Sequence, residues 1–437
     1  MQIRQAAIDI FLAGVESVKP VNIIRRVVNL SGNILAINQL KFDISLINNI
    51  FLIGAGKASV YMAHEMETIL GNRITDGHIV TKYKHLLPLK HAGVTEAGHP
   101  VPDENSLKGT AKLVSIAKGA TKNDLVICLI SGGGSSLLAD LPEGCTLEDL
   151  KLVNEVLVKS GLNIGEMNVI RKHLSAVKGG GLIKAIAPAS SVSLILSDVT
   201  GDRTDVIASG PTVPDPSTFS NALEIINQYQ IENLLPVSIM RFLRDGLSGK
   251  NPETLKSGDD LMHRAHSIII GNNAIALSGS AEKAQQLGYE PFVITNSIEG
   301  STETIAHNLV ELALKMQKER ISEKTCLLFG GEPTIKVKAA GLGGRNQHLA
   351  LIAAKLLENH SGITILSAGT DGTDGPTLAA GAVCDSNTMA NAGKIKSEIN
   401  RYINDYDSYH FFEEAGGLII TGPTQTNVMD IIVVLIN

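Results

Sequence analysis

Residues able to handle anions recur in one kind of place along this chain, just after a short apolar run and inside a glycine-rich turn. The stretch IFLIGAGKAS, residues 50–59, carries Gly54, Gly56 and Lys57, and DLVICLISGGGSSLL, residues 124–138, carries Ser131, Gly132, Gly133, Gly134 and Ser135. Glycines let a backbone approach an anionic oxygen closely, converging N–H groups bind it, and a helix beginning there adds partial positive charge. A tight strand-to-helix turn capped by serine satisfies the same pattern. A hydrolase nucleophile at Ser135 is excluded, because Leu137 stands where G-x-S-x-G needs its last glycine.

Carboxylates follow apolar runs in the same way. LILSDVTGDRTD supplies Asp198, Asp202 and Asp205, and ILSAGTDGTDGPT supplies Asp371 and Asp374. Hard oxygen ligands on flexible turns suit Mg²⁺ held together with substrate phosphates, though aspartate and glycine are also ordinary turn residues. FGGEPTIKVKAAGLGGRNQ adds Glu332, Arg345 and Asn346. An arginine at a helix start opposes the helix dipole unless it faces an anion. In MNVIRKHLSAVKGGGL, Arg171, Ser175 and Lys178 are spaced i, i+4, i+7, which predicts one basic helical face, either solvated or carboxylate-binding.

Familiar nucleotide motifs are imperfect here. GAGKAS lacks the first glycine of a Walker A loop, where Phe51 stands, and Ala58 follows its lysine. As a dinucleotide fingerprint it has Ser59 at the third glycine position. No zinc spacing occurs among the histidines, and His99, in a proline-containing stretch, reads as a loop-stiffening residue.

The elements that must position these turns are alternating apolar runs and helical patterns. NNIFLIG, DGHIVTK, DLVICLIS and SVSLILSD argue for parallel strands joined by helical crossovers, with ligands where strands end. Residues 221–250 are helical in pattern, and SGKNPETLKSGDD reads as a linker. HSIIIGN, EPFVITN, KTCLLFGGE and GITILSAGTDG then form a second α/β series. Two domains are expected, residues 1–250 and 251–437, with the helices of residues 1–45 free to pack on either. The first helix is amphipathic and ends before Pro20, unlike a signal peptide.

Composition narrows the partners. The 437 residues are 44% hydrophobic and 19% charged with a net charge of −6, so there is no basic field for nucleic acid. No run reaches the roughly 18–20 apolar residues of a membrane span. The four cysteines are widely spaced and form no disulfide framework, which points to a reducing cytoplasm.

Taken together, GAGKAS, EAGHPVPDENS, SGGGSSLL, MNVIRKHLSAVKGGGL, LSDVTGDRTDVIASGPT, GGEPT, GGRNQ, AGTDGTDGPT and GPTQTNVMD resemble the glycerate kinases with a C-terminal MOFRL domain. The resemblance runs nearly end to end. It implies a Rossmann-like N-terminal domain, a different α/β C-terminal domain and an active site in the cleft. It also implies ATP-dependent phosphorylation of D-glycerate, with 2-phosphoglycerate as the favoured product. The family's functional lysine falls on Lys57, its arginine on Arg345 and its glycine-aspartate turn on Asp371, while Asp198 matches an aspartate after a strand. Ser136 and Gln425 depart from the family pattern, standing where alanine and glycine are expected.

On this reading Lys57, Asp198, Arg345 and Asp371 are the expected catalytic residues. Gly54, Gly56, Ser131–Ser135, Arg171, Glu332 and Asn346 are expected to bind phosphate or substrate, and Asp198 and Asp371 to hold Mg²⁺. ATP and D-glycerate are the expected partners, with no nucleic acid and no membrane; a homo-oligomer is compatible. Two rivals remain open, a hydroxypyruvate reductase using NAD(P)H and a non-catalytic binding protein for small hydroxy acids.

Overall fold

The computed structural model describes residues 2–319 and 323–437. Residues 23–270 form one compact unit, and residues 2–22 with 271–437 form another.

In the 23–270 unit, six strands form one sheet: Ile50–Ala55, Ile74–Lys82, Gly93–Ala97, Leu125–Ile130, Ser190–Leu196 and Ala265–Gly271. Counted along the chain, their spatial order is third, second, first, fourth, fifth, sixth. The first five are parallel throughout. This is the Rossmann order, and it reverses between the strands Ile50–Ala55 and Leu125–Ile130. Every residue of Leu125–Ile130 is buried, as a strand covered on both faces requires. Ile53, Val126 and Cys128 pack with Leu113 and Ala117 of the helix Glu104–Gly119 and with Leu182 and Ile186. Asp103 starts that helix in a reciprocal capping box with Ser106. A separate apolar core, including Val153, Leu157, Ile170, Phe219 and Leu243, joins the helices Leu147–Lys159, Ile164–His173, Phe219–Gln228 and Val237–Leu247.

The other unit has a six-stranded sheet in the order Glu290–Ile298, Thr325–Gly331, Asp430–Ile436, Ile363–Gly369, Gly381–Asp385, Leu418–Ile419. Only the first pair is parallel; every other pairing is antiparallel. This second α/β sheet is thus mainly antiparallel, with the strand Asp430–Ile436 inserted antiparallel between Thr325–Gly331 and Ile363–Gly369. The helix Gln2–Ser17 also belongs here. A Cβ on Gly14 would lie 2.3 Å from Ser280 Oγ, so the glycine permits close approach to the helix Asn273–Gln286. Arg4 clamps Asp385 with contacts of 2.8 and 2.6 Å.

The division at residue 270 replaces the expected one at 250 for two physical reasons. HSIIIG pairs with Ser190–Leu196 at the edge of the first sheet and does not begin the second. SGKNPETLKSGDD is not a linker: Leu255 is fully buried, and Glu253 accepts the Phe219 N–H at 2.9 Å. No helix among the described residues is long and apolar enough to cross a membrane.

Candidate active site

In the 23–270 unit, the strand-end turns flank the point where strand order reverses. Lys57 follows the first strand, and its N–H donates to Gly132 O at 3.0 Å, in the turn after the fourth. Ser131 binds the two turns together: its Oγ accepts the Ala58 N–H at 3.0 Å and lies 3.1 Å from Ser59 Oγ. That hydroxyl is buried and engaged, and the Ser131 N–H donates to Ala55 O at 3.1 Å, so Ser131 positions the turn. Gly56 has the same explanation, with φ 139° and room for a Cβ only inside Ser131. Gly54 lies within its strand against Leu129, and both glycines are therefore close-packing residues.

Gly132 and Gly133 are different, because what fills their missing side-chain space is chemistry. A Cβ on Gly132 would lie 1.8 Å from Asp198 Oδ2, and one on Gly133 would lie 2.8 Å from His99 Nε2 and 3.3 Å from Lys57 Cγ. Lys57, His99 and Asp198 thus converge on one glycine turn from the ends of three separate strands. Burial, reinforced by the charges of Lys57, Lys82 and His85, pushes the His99 imidazole down to about 4, so it is neutral at physiological pH. His99 is accordingly more than the loop-stiffening residue its sequence context suggested. The helix after the turn, Gly134–Leu137, has only four residues, so the expected dipole contribution is small.

A turn of unusual backbone supports this one. Ala208, Ser209 and Gly210 are all left-handed, with φ of 51, 60 and 60°. A Cβ on Gly134 would lie 2.6 Å from the Cβ of Ala208, and Ser135 Oγ lies 2.8 Å from Ser209 Oγ. Two consecutive non-glycine residues in this region cost on the order of 1–3 kcal/mol each and cluster at functional sites. Beside the turn lies a cavity of about 230 Å³ lined by His99, Gly133, Ser135, Ser136, Arg171 and Lys178 among others. Arg171 and Lys178 meet there without sharing the predicted helical face, because the helix ends at His173. The Ser175 hydroxyl donates to Asp140 and accepts the N–H groups of Val177 and Lys178 at 3.2 and 3.1 Å.

In the other unit, strand order again assembles the site residues. Asp430 opens the central antiparallel strand and stands opposite both Gly331 and Gly369. Glu332 and Asp371 follow shortly after those glycines, so three carboxylates gather at one sheet edge. Arg345, the first residue of the helix Arg345–Leu356, lies among them. Its Nε and Nη2 donate to Asp430 at 2.6 and 3.0 Å, and Nη1 donates to Glu332 at 2.7 Å. The anion expected to face this arginine is thus in part supplied by the protein. Burial opposes the charge on Arg345, but the bonds and charge of Asp430 outweigh it and raise the guanidinium pKa. Burial raises the pKa of the Asp430 carboxyl, and the two charge-assisted bonds from the fork oppose that rise. The arginine side chain keeps 32% exposure, leaving an edge of the fork accessible.

The helix itself is capped from a distance. Asp374 accepts the N–H groups of Asn346 and Gln347 at 3.0 and 2.8 Å, placing a carboxylate at the positive helix end. Burial pushes this carboxyl up to about 6 against those bonds. Asn346 is buried and structural, its Oδ1 accepting from Ser367 Oγ at 2.6 Å. Asp371 is half-buried; its Oδ1 accepts both the N–H and the hydroxyl of Thr373 at 3.0 Å, an ordinary aspartate turn that leaves the second oxygen for other use. Asp198 and Asp371 lie in different units, and no group of three or more His, Cys, Asp or Glu among the described residues forms a metal cluster.

Sequence reasoning passed over Asp430 and the anion-site company of His99. The signals were slight: a carboxylate just before a terminal apolar run, and a histidine shortly after a strand.

Comparison with known proteins places this architecture. Residues 6–244 match the family described as a domain of unknown function, DUF4147, and residues 325–430 match the MOFRL family. A glycerate 2-kinase of Pyrococcus horikoshii is 37% identical over 439 residues, covering 100% of this chain and 98% of that protein. A D-glycerate 2-kinase of Thermotoga maritima is 40% identical over 394 residues, covering 89% and 91%. An Agrobacterium vitis protein, 39% identical and covering 88% and 86%, carries a provisional hydroxypyruvate reductase name. A crystal structure of a glycerate kinase from Thermotoga maritima superimposes with a TM-score of 0.88 at 37% identity, covering 100% of both chains. By these matches over its whole length, the chain belongs to the glycerate kinases that carry a C-terminal MOFRL domain.

Proposed function

We propose that this protein phosphorylates D-glycerate from ATP, with the 2-hydroxyl as acceptor. The observation that carries the reading is the convergence of Lys57, Asp198 and His99 on the glycine turn at the strand-order reversal, in a chain similar over its full length to glycerate 2-kinases. Phosphoryl transfer asks a protein mainly for positioning and charge neutralisation, and these groups do both. Lys57 and the backbone of Gly132–Gly134 hold anionic oxygens. Asp198 either receives the glycerate hydroxyl proton or joins Mg²⁺ at the phosphates. Arg345, its orientation fixed by Glu332 and Asp430, is the cation assigned to neutralise charge on the transferring group. Arg171 binds an anion in the cavity beside the turn.

The donors fit a kinase's Mg²⁺, which keeps most of its waters and needs only one or two protein carboxylates beside the phosphates. Asp198, held against Gly132, or the second oxygen of Asp371 would serve as such a single hard ligand. When bound, the ion neutralises charge that develops on the phosphates. The four unpaired cysteines accord with action in the cytoplasm.

Purified protein with D-glycerate and Mg-ATP should release ADP, and enolase without a mutase should consume the product. Oxidation of NAD(P)H with hydroxypyruvate, without glycerate-dependent ADP release, would establish the reductase instead. Enolase inactivity would move the phosphate to the 3-hydroxyl.

Two variants test the geometry. Gly132→Ala puts a methyl where the Asp198 carboxylate lies, and Gly132 needs no left-handed φ. The carboxylate must swing aside while the backbone stays, so turnover should fall about a hundredfold with little change in melting. Wild-type turnover would separate Asp198 placement from catalysis. Asp371→Asn preserves an oxygen for Thr373 and loses only charge, so it should also melt normally and turn over at least about a hundredfold more slowly. Undiminished turnover would remove Asp371 from the reaction.

A further inference from the structure

We infer that Arg171 is the anchor for the substrate carboxylate, that Asn154 is the positioning residue that aims it, and that the cavity beside the glycine turn is the acid subsite and not a nucleotide site. This rests on the glycerate kinase reading and specifies which anion the cavity takes.

The two residues are brought together by packing. The helices Leu147–Lys159 and Ile164–His173 share the core around Val153, Leu157 and Ile170, which sets Asn154 beside Arg171. Arg171 Nε donates to Asn154 Oδ1 at 2.9 Å, and Asn154 Nδ2 donates to Leu150 O at 2.9 Å. The second bond fixes which end of the amide meets the arginine. The guanidinium is therefore tethered through Nε, and its two terminal nitrogens have no carboxylate partner among the described residues. Two terminal N–H groups side by side match the spacing of a carboxylate's oxygens.

The other charges in the cavity wall are already engaged. Lys178 is buried and its Nζ donates to Leu138 O at 2.6 Å. Asp140 accepts from the Ser175 hydroxyl and the Ala176 N–H. Burial lowers the pKa of Lys178, so with His99 neutral, Arg171 and Lys178 against Asp140 leave at most one positive charge in excess in the lining. That balance suits a monoanionic acid better than a triphosphate. Size agrees: the cavity's 230 Å³ lies below the roughly 300–1,000 Å³ of sites for drug-sized ligands, and suits an acid of about three or four carbons. The turn of Gly133, Ser135 and Ser136, with Lys57 beside it, lines the same cavity, so an acid held by Arg171 shares that space with polar groups able to meet its hydroxyls.

The test compares wild type with Arg171→Gln and Asn154→Asp, using calorimetric binding of D-glycerate and steady-state kinetics with D-glycerate, its uncharged amide glyceramide, and ATP. Arg171→Gln should raise the glycerate Kd and KM about 30-fold or more, leave the ATP KM little changed, and abolish the wild-type preference for glycerate over glyceramide. Asn154→Asp keeps the arginine but supplies it with an internal carboxylate, so glycerate affinity should fall about tenfold or more with undiminished melting temperature. A folded Arg171→Gln protein with wild-type glycerate Kd, or one impaired only for ATP, overturns the anchor and leaves the kinase reading intact. Arg171-dependent glycerate binding without any phosphorylation by the wild type would instead sustain the anchor and sink the kinase. An Asn154→Asp protein with unchanged glycerate affinity would remove Asn154 from its positioning role.

Discussion

Arg345→Lys should lower turnover about a thousandfold or more while the protein stays folded, and Arg345→Ala should lower turnover comparably but also destabilise it. The difference follows from what the guanidinium does in the structure. It makes three charge-assisted bonds, two to Asp430 and one to Glu332. A lysine can neutralise the buried Asp430, so the fold survives, but a single ammonium cannot hold both carboxylates and offer a forked edge to a transferring phosphoryl group. Cations of this kind are worth about 10³–10⁵ in rate. Alanine leaves Asp430, which is 1% exposed, without its counter-charge, at a cost of about 3 kcal/mol. Turnover and thermal melting of both variants separate the effects. A lysine variant with near-normal turnover would reduce Arg345 to the counter-ion of its two acidic neighbours.

Removal of the Lys57 amine is the complementary case, with large kinetic and small structural consequences. Among the described residues Lys57 has no ion-pair partner, so Lys57→Ala orphans nothing. Its melting should match wild type. Its turnover should fall about 10²–10³-fold, the usual effect of deleting one preorganised donor to developing negative charge. The histidine beside it supplies an independent readout. Burial first, and then the Lys57 charge, hold His99 at about 4, so removing the cation must raise that pKa. An NMR titration of the histidines should show an upward move for His99, and an unmoved His99 would mean that Lys57 does not face the turn. Kinetics identical to wild type would make the lysine a surface residue.

Part of this site was open to reading because of how parallel sheets are built. Where strands run parallel, their carboxyl ends lie on one edge, so any turn that follows an apolar run is automatically a neighbour of the others. Lys57, Gly132, Gly133 and Asp198 follow three such runs, and they meet. The spacing of Arg171 and Lys178 misled for a local reason. A regular helix would align them, but the helix ends at His173, Ser175 turns to Asp140, and Gly179 and Gly180 take φ of 53 and 79°. The two cations reach the same cavity along an irregular path. Gln425 shows the reverse: its φ of 69° is one that glycine adopts freely, which accounts for the glycine expected there.

The residue pattern by itself determined two α/β units, a first parallel sheet, and the places where chemistry could sit, because apolar periodicity and turn composition act over a few residues. Tertiary structure alone decided that the terminal strand enters the second sheet antiparallel, setting Asp430 opposite Gly331 and Gly369 and beneath Arg345. It also decided that the first helix packs against Asn273–Gln286 and that Asn154 meets Arg171. Those outcomes depend on which distant segments bury each other's surfaces, a choice among competing long-range pairings that local spacing does not encode.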